Sequence, residues 1–73
     1  MHEDSINLQF EVDKQDIAYL TGIIEGDDNF AILRTLDQNR GTIELLISPD
    51  FLDETLKLIE ALKKEIPLRQ LKL

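Results

Sequence analysis

Ile6, Leu8, Phe10 and Val12 alternate with Asn7, Gln9, Glu11 and Asp13. A period of two over such a run predicts a half-buried strand with one wet face. The period then changes. Ile17, Leu20, Ile23 and Ile24 recur at helical spacing and predict a helix over about 14–25. Asp13 is its expected N-cap, with Asp16 the reciprocal partner in a short-armed capping box, and Gly26 stands where C′ belongs. Gly22, inside the helix, costs roughly 1 kcal/mol against alanine, and close packing on a neighbour is the expected reason for it. Asp27-Asp28-Asn29 makes the following turn.

Phe30 to Leu36 predicts a second strand, apolar on both faces, and Thr42 to Ser48 a third with Ile43, Leu45 and Ile47 turned to the core. Between them Asp37-Gln38-Asn39-Arg40-Gly41 reads as a hairpin loop, with Gly41 in the left-handed position of a type I turn plus bulge. Ser48-Pro49-Asp50 opens a second helix, since proline is welcome in the first turn. Its stripe is Leu52, Thr55, Ile59, Leu62 and Ile66, flanked by Phe51, Leu56 and Leu58. Pro67 stops it. Leu68 to Leu73 is a weaker last strand, with Leu71 and Leu73 as its expected core residues.

The order β-α-β-β-α-β predicts an α+β, ferredoxin-like fold: a four-stranded antiparallel sheet in the order 4-1-3-2, with two helices on one face. Residues 1–5 are an expected flexible tail and 6–73 a single domain. One sheet face then has no helix over it. With a three-residue hairpin loop, Thr35 opposes Leu45 and Leu33 opposes Ile47 on the core side. Phe30, Ile32, Arg34 and Leu36 then fall on the open face beside Glu44 and Leu46, with Asn7, Gln9 and Glu11 from the first strand. An even loop would turn Ala31 and Leu33 outward instead, because a one-residue slip flips every side chain.

Composition sharpens the consequence of that open face. A chain of 73 residues buries only about 60% of its unfolded surface and is marginal as a lone core. There is no cysteine, and the single histidine is His2 in the tail, so disulfides, thiolate or histidine metal sites and histidine-based catalysis are excluded. Packing and self-association remain as sources of stability. Phe30, Ile32, Arg34, Leu36 and Leu46 are accordingly the expected homodimer interface, by face stacking or edge pairing. The same face could instead dock the chain on a different protein, as a scaffold or subunit.

Fifteen acids against eight bases give a net charge of −7. The bases are scattered, so neither nucleic acid nor an anionic membrane is an expected partner. No apolar run approaches a membrane span and no signal-peptide pattern opens the chain, which reads as soluble and cytoplasmic. The acids sit where caps and turns use them, and no calcium-loop pattern is present, so no metal or other cofactor is expected. Arg34 and Arg40 are placed to neutralise Asp13 or Asp16. A nucleophile elbow and a Gly-rich phosphate loop are both missing, and an acylphosphatase-type anion loop is replaced by Asp13-Lys14-Gln15-Asp16. The open face of the central strands offers Asn7, Gln9, Glu11 and Glu44 where RNA recognition needs aromatics. The reading is of a protein that is not an enzyme.

The run from Val12 to Glu25, followed by Arg34-Thr35-Leu36-Asp37 and Gly41-Thr42-Ile43-Glu44-Leu45-Leu46, resembles a short bacterial family known as a domain of unknown function. More distantly, the element order and the strand-Asp-loop-helix start resemble ACT domains. That resemblance implies a regulatory module that pairs through its sheet and holds a small ligand such as an amino acid near the first strand-helix loop. In this chain the loop is Asp13, Lys14, Gln15 and Asp16, with Lys14 the group able to grip a carboxylate. The ACT pattern usually has glycine three residues after the aspartate; Asp16 stands there instead.

Overall fold

The structure is a computed structural model that describes residues 5–26 and 31–71. The expected turn Asp27-Asp28-Asn29, Phe30 of the interface, His2 and Leu73 lie outside the described residues.

Alternating apolar residues form strand β1 (Ile6–Val12), and the chain then turns once as a 3₁₀ helix, Lys14–Asp16, into helix α1 (Ile17–Ile24). Strands β2 (Ala31–Asp37) and β3 (Thr42–Ile47) make the hairpin. A second 3₁₀ turn, Pro49–Phe51, leads into helix α2 (Leu52–Lys63), and strand β4 (Leu68–Leu71) closes the chain. All pairings are antiparallel and the order is β2-β3-β1-β4, which is 4-1-3-2 from the other end. This is the α+β ferredoxin-like arrangement the element order predicts.

Both helices start by one device. Asp13 and Ser48 are extended, at φ −68° and −66°, and their carbonyls accept the amides of Asp16 at 2.8 Å and Phe51 at 2.9 Å. The expected capping box is therefore absent: Asp13 makes no side-chain cap bond. A 3₁₀ turn satisfies the first orphan donor through the backbone, and aspartate at the third position is one methylene shorter than the glutamate that usually reaches back.

The two helices cover one sheet face. Leu20 and Ile24 of α1, and Thr55, Ile59 and Leu62 of α2, are buried against Phe10, Val12, Leu33, Ile43, Leu45 and Ile47. Apolar side chains from both helices and all four strands line a residual void of about 10 Å³, room for one water at most. A ligand has no place inside the core. A polar side chain is held there nonetheless: Thr55 is fully buried and its Oγ1 has no hydrogen-bond partner among the described residues. In α1, by contrast, Thr21 Oγ1 donates back to the Ile17 carbonyl at 2.9 Å.

The hairpin corrects the expected register. Ala31 opposes Ile47, Leu33 opposes Leu45 and Thr35 opposes Ile43, two residues away from the three-residue-loop pairing. Asp37 then opposes Thr42, so Gln38–Gly41 is a four-residue loop, and Leu36 is a bulge between Thr35 and Asp37. An even loop alone would have sent Arg34 into the core. The extra residue at Leu36 reverses the parity, and Ile32 and Arg34 return to the open face.

Three other expectations change. Leu71 opposes Gln9 on the open face, whereas Leu68 opposes Val12 and packs on the core, because strand alternation starts one residue earlier than assumed. Gly26 follows α1 but lacks the left-handed conformation; Gly41 is the positive-φ glycine, at 74°. Gly22 is exposed, and a Cβ there would meet nothing within 4 Å, so it packs on no neighbour within the chain.

These glycines have opposite expected responses to alanine. At Gly41 a Cβ would stand 1.8 Å from the Val12 carbonyl oxygen, on a backbone that L-residues avoid. Gly41→Ala is expected to cost at least ~2 kcal/mol. Gly22→Ala is expected to add roughly 1 kcal/mol by raising helix propensity, or about 4–8 °C in melting temperature for a domain of this size. Thermal unfolding followed by circular dichroism measures both.

Candidate functional site

Two surfaces carry the residues of interest. The first is the open sheet face. Sheet register fixes its rows: Ile32 beside Leu46 and Asn7, then Arg34 beside Glu44, Gln9 and Leu71, then Thr42, Glu11 and Arg69. Ile32 is 54% exposed and Leu36, on its bulge, 44%; Leu46 and Leu71 are half-buried. The apolar residues are thus concentrated toward β2. The polar rows are internally matched: Gln9 Nε2 donates to Glu44 Oε2 at 3.5 Å, and Arg69 forms an ion pair with Glu11. Arg34 lies opposite Glu44 in register but has no ion-pair partner among the described residues.

The second surface is an open cleft of about 350 Å³ at the end of the sheet where β1 stops. Asp13 forms one wall with Glu11 and Val12, Arg40 of the hairpin loop another, and Pro67 and Arg69 a third. The hairpin tip is held against this site because Val12 donates its amide to the Gly41 carbonyl at 2.8 Å. Pro67 lends the cleft a rigid wall without an N–H.

Of the loop residues expected to bind a ligand, only Asp13 lines the cleft. Lys14, Gln15 and Asp16 are spent on the 3₁₀ turn, which leads them onward into α1. Arg40 and Arg69 are the cationic residues that face it, and sequence reading assigned neither to a ligand. Topology already sets Arg40 near Asp13, since the hairpin tip and the end of β1 share one end of the sheet, but as an ion-pair partner. The expected pairing of Arg34 or Arg40 with Asp13 or Asp16 does not form: the ion pairs among the described residues are Lys63–Glu60 and Arg69–Glu11. Arg34 sits two strands away from Asp13, and Arg40 reaches the cleft without closing on it. Asp13 and Arg40 therefore face one cleft as an unneutralised acid and base.

Among the described residues no three metal-ligating side chains converge, and no helix is long and apolar enough to cross a membrane.

A family model described as Domain of unknown function (DUF4911) matches residues 10–66. That span runs from β1 to the end of the turn after α2 and takes in the hairpin, both helices and most of the cleft. No curated protein and no solved structure matches the chain.

The helix side carries one further polar link. Tyr19 of α1 donates its hydroxyl to Glu65 Oε1 at 2.7 Å, tying α1 to the turn after α2. The phenol pKa is raised above its ordinary 10.0 because its O–H is hydrogen-bonded to Glu65, and because that carboxylate's charge opposes a second negative charge. A pKa raised by folding contributes stability that is complete below the unfolded value and is lost as pH climbs through the folded one. Tyr19 is the single tyrosine and there is no tryptophan, so tyrosinate absorbance reads it directly. The wild-type phenol is expected to ionise above free tyrosine, and Glu65→Ala to bring it back down.

Proposed function

We propose, for a chain that belongs to the family of domains of unknown function DUF4911, that it is a non-enzymatic, ACT-like module that forms a homodimer by stacking its open sheet faces. Its role is regulatory, with a small ligand held at the end of the sheet. The observation that carries this reading is the uncovered face itself. A core this small leaves Ile32 and Leu36 exposed beside Leu46, and apolar surface on a marginal domain is best covered by a second copy. Charge supports self-pairing. The chain carries −7 overall, yet on this face Glu44 stands opposite Arg34 and Glu11 is bound by Arg69. The two acids and two arginines of this face cancel in charge, so two copies can meet here without net like-charge repulsion.

The ligand half of the proposal rests on Asp13 and Arg40. A free carboxylate and a free guanidinium across one open cleft suit a small zwitterion such as an amino acid. Arg40 would take the carboxylate, in the two-pronged manner guanidinium favours, and Asp13 the ammonium. This reassigns the anionic grip from Lys14 to Arg40.

Light scattering over a concentration series tests the pairing. The expected result is a particle of about 17 kDa, twice the 8.4 kDa chain, that Ile32→Asp returns to monomer with its circular dichroism unchanged. A wild-type monomer at high micromolar concentration would remove the pairing. The cleft is tested separately. Millimolar amino acids are expected to raise the melting temperature by preferential binding to the folded chain, and Arg40→Ala to abolish that shift while keeping the dimer. A shift that survives Arg40→Ala would place the ligand elsewhere.

A further inference from the structure

A four-stranded sheet has two free edges, and here they are unequal. The β4 edge is four residues long, Leu68–Leu71, and one of them, Arg69, is tied to Glu11. The β2 edge runs seven residues, Ala31–Asp37, with neither glycine nor proline. Long unpaired edges of β-branched and aliphatic residues are templates for another strand, and natural sheets blunt them.

Blunting is what Glu25 does. Among the described residues β2 pairs only with β3, so alternate residues turn their N–H and C=O out of the sheet. Leu33 is one of these, and its amide donates to Glu25 Oε2 at 2.9 Å. Glu25 is the C-cap of α1; its side chain leaves the helix end and lies against the strand where a neighbouring strand's carbonyl would otherwise be. Toward the far end of β2 the Leu36 bulge breaks the ladder pattern. The usable edge is therefore Ala31 to Thr35, with the carboxylate at its centre.

We propose that Glu25 guards this edge, and that removing its carboxylate lets a second copy of the chain pair antiparallel along β2. Two features select a second copy as the occupant. From Ala31 to Leu36 the strand carries a single charge, Arg34, in a chain of net −7, so two such strands meet where neither brings an acid. A two-fold axis at Leu33 is also compatible with the side chains. It sets Arg34 opposite the partner subunit's Ile32, not opposite its own equivalent, and avoids the like-charge pair that would oppose pairing. The result would be one continuous sheet across two chains, using an edge distinct from the face proposed above.

Glu25→Ala is the test, read as mass by light scattering and as amide exchange at Leu33 and Thr35. The expected outcome is a folded variant whose mass rises about twofold over whatever mass the wild type has under the same conditions, with Leu33 and Thr35 amides more protected as concentration increases. Because the comparison is with the wild type's own mass, it does not depend on whether the open faces pair; combining Glu25→Ala with Ile32→Asp separates the two contacts. Glu25→Gln keeps an acceptor for the Leu33 amide and is expected to stay at wild-type mass. A folded Glu25→Ala chain of wild-type mass would overturn the proposal. So would a wild-type Leu33 amide that exchanges as fast as that of Thr35, a measurement that needs no variant to fold.

Discussion

A guanidinium cannot enter a core lined by aliphatic and aromatic side chains and a single threonine without a desolvation cost of several kcal/mol. Arg34 stands in the middle of β2, flanked on alternate positions by Ile32 and Leu36 on one side and by Leu33 and Thr35 on the other. The four-residue loop Gln38–Gly41, continued as a regular ladder, would set Arg34 against Leu45, under the helices. The bulge at Leu36 removes that outcome. One ladder position is sacrificed, which is small beside a buried unpaired charge, and Ala31 and Leu33 become the core side. The composition of both faces follows from that choice.

The loop geometry that makes the bulge necessary is held from the other side of the sheet. Gly41 at φ 74° packs so closely on Val12 that no side chain fits, and its carbonyl receives the Val12 amide. One contact therefore joins the hairpin tip to the end of β1, limits the loop to its four residues and brings Arg40 to the cleft that Asp13 lines. Core register and cleft composition share a cause.

Size accounts for the remaining surfaces. Two helices of eight and twelve residues are enough to cover one side of four strands and no more. The other side stays open, and β2 stays an edge. Each exposure has a local feature beside it: Glu11 paired with Arg69 and Glu44 bonded by Gln9 on the face, Glu25 on the Leu33 amide, and a short β4 at the opposite edge. Exposed apolar faces and long strand edges are the surfaces through which small sheets associate unless something blunts them.

Element types and faces were legible because they depend on periodicity. Ile6 to Val12, Ile43 to Ile47 and the stripe Thr55, Ile59 and Leu62 each repeat a pattern that a strand or helix can satisfy in one way. Gly41 could be read because a hairpin loop needs a left-handed residue. Gly22 and Gly26 misled, since glycine's permissiveness does not say whether the freedom is used. The loop Asp13 to Asp16 could be placed between strand and helix, but not its turn type: backbone and side-chain caps satisfy the same orphan amide, and their balance lies in tenths of a kcal/mol. Arg40 could be placed beside Asp13 from topology, though as an ion-pair partner and not as a ligand group, whereas Arg69 is an isolated base whose position at the cleft depends on the pairing of β4 with β1.

By itself, then, the sequence determined which segments are strands and helices, their order, the apolar side of most of them, and the topology that right-handed, short connections allow. These are local or near-local properties. Only the tertiary structure decided the hairpin register, the bulge at Leu36, the contact of Glu25 with the β2 edge and the failure of Asp13 and Arg40 to close on each other across the cleft. Each compares alternatives that are locally almost equal in energy, and the choice between them is made by what lies across the sheet: an apolar core that refuses a charge, and a backbone that leaves room only for glycine.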